Sequence, residues 1–304
     1  MRRSQLVDNS ANYVTPGALT DKGDVSRKEK DFFGDPSMWR RGRGWYEKIW
    51  PTCPKADAQL KVAVDATPAY HVWHSAPQNM RIFFGDQTAR LRVVWMLRDP
   101  VAKFWSYFWE LKAYRGEWDR VHFATWTQPK LERTRQCLAK DPNHPLWPPS
   151  LPPPFSGCAP HLDHGMYEPQ LRRWLEFFKP AQMLLVSFAG YTRRPAAVVR
   201  DVLSHAGLPL GVAAAAAAST RTSANKLRNS RVLGHGKMPP RARADLHALY
   251  DPMVERLYRL IEEKAIAVSP CEHKGTRFLD DPDAKNVTAA SSAKPKASAQ
   301  DARL

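Results

Sequence analysis

An α/β fold, built on a parallel sheet with helices on both faces, is what the residue pattern predicts, and three observations predict it. Short β-branched or apolar runs alternate with segments of helical spacing. The strongest run, Leu91-Arg92-Val93-Val94-Trp95-Met96-Leu97, reads as a strand buried on both faces. It runs directly into Arg98-Asp99-Pro100 and then a helical pattern, so strand and helix share one short turn. The 304 residues include 11 Trp, 9 Tyr and 12 Phe and are 43% hydrophobic. That is ample for a core and excludes a wholly disordered chain.

Residues 1–27 are polar and read as an irregular leader. Met38 to Trp50 interleaves aromatic and basic residues at near-helical spacing and predicts a short helix. Leu60 to Asp65 is a strand stopped by Thr67-Pro68, and Gln78 to Gly85 a helix. After Arg98, Asp99 suits an N-cap and Pro100 the first turn of a helix whose apolar face is Val101, Phe104, Trp105, Phe108 and Leu111. Residues 143–160 hold most of a Pro-rich insertion that cannot be regular structure.

Tyr167 to Phe178 is amphipathic through Leu171, Trp174, Leu175 and Phe178, and Lys179-Pro180 stops it before the strand Met183 to Phe188. Pro195 to Ala206 is a further helix ended by Gly207. Ala213 to Ala218 is a low-complexity spacer, and Ala244 to Ile266 a long helix interrupted by Pro252. Residues 281–304 read as a disordered tail, and 28–280 as one domain.

Forty-six Lys and Arg against 30 acids give a net charge of +16, a surface that attracts anionic partners. A nucleic-acid partner is not expected, because no RRM, KH, zinc-finger or helix-turn-helix signature accompanies that charge. No apolar run is long enough for a membrane span, and the basic start is not followed by an apolar signal core. The four cysteines include no C-x-x-C, so structural zinc is not expected. They read either as buried free thiols or, for Cys137 and Cys158, as a bridge across the Pro-rich loop, suited to an oxidising compartment. His161, Asp163 and His164 lack a third ligand at metal spacing, and G-x-S-x-G is absent.

The sharpest chemical signal is Arg98 followed eight residues later by Ser106. An anion there meets a guanidinium fork, a hydroxyl and a helix N-terminus together. The blander reading pairs Arg98 with a carboxylate and turns Ser106 to a neighbouring helix.

Val93 to Tyr107 resembles the 3′-phosphate segment of sulfotransferases that use 3′-phosphoadenosine-5′-phosphosulfate, PAPS. Four more blocks follow the same family in order. Lys28-Glu29-Lys30-Asp31-Phe32-Phe33 is similar to its acid and paired Phe, and Gly44-Trp45-Tyr46 to its G-x-W-Y. Thr67-Pro68-Ala69-Tyr70 is similar to its T-P-x-Y, and Gly165-Met166-Tyr167 with Leu171 and Trp174-Leu175 to its G-x-Y…L…W-L. The nearest likeness is to Golgi carbohydrate sulfotransferases of the heparan sulfate and chondroitin types.

The resemblance implies a P-loop-kinase-like parallel sheet and sulfuryl transfer from PAPS to a hydroxyl or amine of a carbohydrate acceptor, an anionic glycan, leaving PAP. It implies Arg98 and Ser106 on the cofactor's 3′-phosphate and Glu29 as general base, which would otherwise be a solvated carboxylate beside Lys28, Lys30 or Arg27. Lys226, Arg228, Arg231 and Lys237 match loosely a basic loop that covers the nucleotide, and read equally as a solvated charge run. A Golgi lumen is the implied location, and no metal is required.

The family's K-x-G-T-T phosphosulfate loop has no counterpart before Lys28. Thr15 to Gly23 carries Gly and Thr in another arrangement, with no convincing strand ahead of it. Ala66 stands where many relatives carry Lys, and Ala189-Gly190 where an acidic pair is common. These departures leave open an inactive homologue that binds PAP or sulfated glycan, or a truncated fragment.

Overall fold

The computed structural model describes residues 13–14, 30–50, 62–114, 121–140, 158, 161–209, 211, 236–269, 277 and 279. Three parallel strands, β3 (Val93–Leu97), β4 (Met183–Ser187) and β5 (Ala267–Ser269), form a sheet in the order β3-β4-β5. Its register sets Val93 beside Met183 and Leu97 beside Ser187. A second parallel pair joins β1 (Tyr13–Val14) to β2 (Val62–Ala63). The expected α/β architecture, a small open parallel sheet flanked by helices, is what the chain adopts.

The helices are α1 (Pro36–Trp39), α2 (Gly42–Lys48), α3 (Ala76–Phe84), α4 (Pro100–Tyr114), α5 (Phe123–Lys140), α6 (Tyr167–Leu175), α7 (Phe188–Arg193), α8 (Pro195–His205) and α9 (Pro240–Glu263). β4 is buried along its whole length. Met183 and Leu185 join Trp95 and Leu97 in the main core, while Leu184 and Val186 pack against Val198 of α8. β4 therefore carries the two-sided burial its sequence predicts.

β3 does not. Val94 and Met96 are 40% and 51% exposed while Trp95 and Leu97 are buried, so the strand expected to be buried on both faces is covered on one. It sits at the edge of the described three-stranded sheet, beyond the reach of α8.

The irregular leader also needs amending, because Tyr13 and Val14 pair with Val62 and Ala63. Two residues are too few for a periodic signal. The single helix expected across Met38–Trp50 is two, separated at Gly42, whose φ of 75° breaks helical geometry.

α5 carried no expected helical stripe, for a chemical reason. Its core face is Phe123, Thr127, Leu131 and Thr134 with Leu138 behind, at helical spacing but with threonines at two buried positions. Thr134 satisfies its hydroxyl by donating to the Lys130 carbonyl, as helical Thr can. α7 and β5 are also additions, and α9 starts earlier than Ala244. The alanine run and the 281–304 tail lie outside the described residues.

Helix α9 is the strut. It packs on α4, α5 and α6, burying Leu246, Tyr250, Leu257 and Leu260. Gln128 and Arg135 of α5 both reach Asp245, and Arg256 reaches the buried Glu168 of α6. Gly34 is fixed by close approach: a Cβ there would lie 2.3 Å from the Trp73 ring.

Cys137 and Cys158 are bridged across a separation of 21 residues. The one Thr134 hydroxyl proton is shared with the Cys158 carbonyl at 2.9 Å, so the disulfide and this contact both tie Cys158 to α5. Replacing both cysteines by serine lowers stability by about 2–4 kcal/mol, read as a lower urea midpoint at unchanged m-value.

Candidate functional site

Arg98 ends β3 and Asp99 opens α4. The Asp99 carboxylate accepts from the Ala102 amide, the N-cap its sequence position predicts. Arg98 is half-buried, with its guanidinium 5.1 Å from the centroid of the Phe188 ring at the end of β4. Its carbonyl accepts from the Tyr167 hydroxyl at 2.9 Å. Burial pushes the Tyr167 hydroxyl well up, so it stays a donor.

Tyr167 belongs to Gly165-Met166-Tyr167, and the glycine has its own requirement. A Cβ on Gly165 would meet Pro100 Cβ at 2.8 Å and the Tyr250 ring at 2.9 Å. Two sequence blocks separated by the whole of α5 thus close on one turn. Ser106 lies half-buried on α4. A guanidinium at a strand's carboxyl end and a long helix's N-terminus together make an anion-binding arrangement.

A second centre joins three other blocks. Asp65 accepts from the Thr67 hydroxyl at 2.7 Å, the Tyr70 hydroxyl at 2.8 Å and the Tyr46 hydroxyl at 2.9 Å. Thr67 in turn accepts from the Lys30 amide at 3.2 Å. Desolvation raises the Asp65 carboxyl from its ordinary value, with the three hydroxyls and Lys30 pulling the other way. Above this knot, Phe32 and Phe33 stack into Tyr46, Tyr70 and Phe83. Asp31, at φ 49°, is held in a conformation that non-glycine residues seldom adopt.

A third group surrounds Lys103, one turn along α4 from Pro100. Its ammonium donates to the His164 carbonyl at 2.7 Å and stands 3.5 Å from His71 Nε2. His71 Nδ1 faces the Pro68 carbonyl at 2.5 Å. His161 Nδ1 lies 3.1 Å from the Tyr107 hydroxyl, and Asp163, fully buried, accepts from the His164 amide at 2.8 Å. Burial, then the neighbouring Lys103, takes His71 down to about 3. Burial also lowers His164 well below its ordinary value and Lys103 to about 8.

Of the residues singled out in the sequence, Arg98 and Ser106 stand on one strand–turn–helix unit. Lys237 is exposed just ahead of α9. Glu29, Lys226, Arg228 and Arg231 lie outside the described residues, although Lys30 next to Glu29 is buried. Sequence reasoning gave no role to Asp65, the shared acceptor for Tyr46 and Tyr70. The signal was present, as both tyrosines belong to blocks that had been aligned separately. Lys103 and His71 carry no signal of their own in the sequence, because only tertiary folding brings them beside each other. Among the described residues no cluster of His, Cys, Asp and Glu has metal-binding geometry, and no helix is long and apolar enough to cross a membrane.

Asp65→Ala strands the Tyr46 and Tyr70 hydroxyls and lowers stability by roughly 3 kcal/mol in urea unfolding, against about 1 kcal/mol for Tyr70→Phe. Acid acts through the histidines. They are neutral when folded and take protons when unfolded below about 6.5, so their contribution is complete above pH 6.5 and lost as pH falls. For His71 the window runs from 6.5 down to about 3. The urea midpoint therefore drops between pH 7 and pH 5, and His71→Gln flattens that slope.

Comparison with known proteins addresses the same elements. The crystal structure of a sulfotransferase from Alicyclobacillus acidocaldarius is similar in fold, with a TM-score of 0.52 and 21% identity over 78% of this chain and 84% of that one. No curated protein matches the chain. The sulfotransferase domain family matches residues 72–249, from the turn after His71 through β3, α4, α6, β4 and into α9. That is more than half of the chain, and the chain belongs to the sulfotransferase domain family.

Proposed function

We propose that this chain is a sulfotransferase that takes its sulfuryl group from PAPS and delivers it to a hydroxyl or amine of an anionic carbohydrate. The observation that carries the reading is the setting of Arg98. It is a half-buried guanidinium at the end of β3, fixed by the Tyr167 hydroxyl and the Phe188 ring beside the start of α4. This donor set fits a phosphate, and Arg98 and Ser106 would hold the 3′-phosphate. PAPS supplies the activated sulfuryl group when bound.

Glu29 acts as general base in this reading, accepting the acceptor's proton. The neighbouring Lys30 is anchored through Thr67 to the Asp65 knot, and a carboxylate next to it in sequence suits the role of base. Lys226, Arg228, Arg231 and Lys237 would cover the nucleotide. Net charge of +16 suits an anionic glycan, and the Cys137–Cys158 bridge suits a Golgi lumen. The domain would run over residues 28–280.

A second reading, a homologue that binds PAP or sulfated glycan without turnover, is favoured by one specific feature. Ala66, beside Asp65 in the knot, has no cationic side chain to offer the transferred group.

PAP binding measured by calorimetry weakens about 10- to 100-fold in Arg98→Ala and about fivefold in Ser106→Ala. Labelled PAPS with a panel of glycans reads transfer, which Glu29→Gln reduces at least 100-fold with PAP affinity unchanged. PAP binding without transfer to any glycan selects the second reading, and absence of both rejects the two together.

A further inference from the structure

Between α4 and the turn at Leu162–Gly165 lies a cavity of about 30 Å³. Lys103, Phe104, Tyr107, His161, His164 and Tyr250 are among the residues that line it. It has room for a small polar group and too little for a sugar ring. In His164, one of the lining residues, Nε2 is closed to solvent and has no hydrogen-bond partner. The nearest acid, Asp163 Oδ1, is 3.9 Å away, beyond hydrogen-bond distance. An enclosed ring nitrogen without a partner is a cost that a bound group would remove.

The charged and titratable groups around the cavity come from several elements. α4 contributes Lys103 and Tyr107, with Arg98 and Asp99 at its start. The turn after Tyr70 contributes His71, the loop His161, Asp163 and His164, α6 Tyr167 and α9 Tyr250. The two acids already serve backbone amides, Asp99 at Ala102 and Asp163 at His164. The Tyr250 and Tyr167 hydroxyls are likewise engaged, on the Leu162 and Arg98 carbonyls. Beyond the effect of burial, Lys103 disfavours protonation of His71, and His71, Lys103 and His161 disfavour that of His164. With both histidines neutral, Arg98 and Lys103 offset Asp99 and Asp163, so an entering anion would be matched by protons taken up on the cluster.

We propose that this cavity is a binding site for a small oxyanion, a sulfate or a sulfate-ester group, held by Lys103 and by the imidazole of His164 with His71 behind it. The anion would receive an N–H from each of Lys103 and His164, giving the sealed Nε2 its partner. Binding would draw protons onto the cluster. Affinity should then fall as pH rises through about 8, where Lys103 loses its charge. The site is separate from the Arg98 turn and does not depend on PAPS binding there.

The test is a titration of ¹⁵N-histidine-labelled protein with sodium sulfate, at ionic strength held by chloride, with and without saturating PAP and in Arg98→Ala. Saturable shifts of the His164 and His71 ring signals are expected in all three, about tenfold tighter at pH 7 than at pH 9. Lys103→Met should weaken binding at least tenfold and remove the pH dependence, and Lys103→Arg should retain binding. Circular dichroism verifies that each variant is folded. A sulfated monosaccharide that titrates the same signals while its unsulfated parent does not identifies an acceptor-borne group; response to inorganic sulfate alone identifies the free ion. The proposal is overturned if the shifts do not saturate, if folded Lys103→Met and His164→Gln bind as the unaltered protein does, or if Arg98→Ala alone abolishes binding.

Discussion

The hydrogen bond from Tyr167 to the Arg98 carbonyl is the constraint around which the molecule is arranged. A strand that turns straight into a helix leaves its last carbonyl without a ladder partner, in a place too buried for water to serve freely. Tyr167 serves it, and to do so the turn at Leu162–Gly165 must lie against the start of α4. Gly165 permits that approach, Tyr250 braces it through the Leu162 carbonyl, and Lys103 adds a bond to the His164 carbonyl from the α4 side. The guanidinium of Arg98 is thus aimed by contacts to its own backbone and to Phe188. Precise anion recognition needs such support more than it needs additional charge.

The Asp65 knot plays the corresponding part for the aromatic layer. One carboxylate gathers hydroxyls from Tyr46, Thr67 and Tyr70, so that α2, the chain after β2 and the Phe32-Phe33 segment share a single acceptor. Burying a carboxylate is unfavourable unless its lone pairs are used, and here three donors use them. The geometry explains why these aromatic blocks occur together: each tyrosine has its ring in the core and its oxygen on Asp65.

Much of the architecture was legible in the residues because its signals are local. β4, α6 and α8 have strong periodicity or clean stops, and Asp99-Pro100 opens α4 where capping chemistry places it. The misreadings have physical causes. β3 is as apolar as β4, yet Val94 and Met96 are exposed, because sequence does not disclose which strand lies at an edge of the described sheet. α5 hides its stripe in Thr127 and Thr134. At the site, Arg98 and Ser106 stand out through their turn, whereas His71, Lys103 and His164 are brought together only by tertiary folding, across separations of up to 93 residues.

The length of α9 bears on how this protein can be shortened. Past its midpoint come Met253, Val254, Leu257 and Leu260, all buried, and after them β5, which pairs beside β4. Tyr258 then receives the amide of Leu279 on its hydroxyl, so the wall extends past the helix itself. Trimming inside α9 would remove one side of the core and uncover β4. The practical carboxyl limit for a well-behaved fragment therefore lies beyond Leu279.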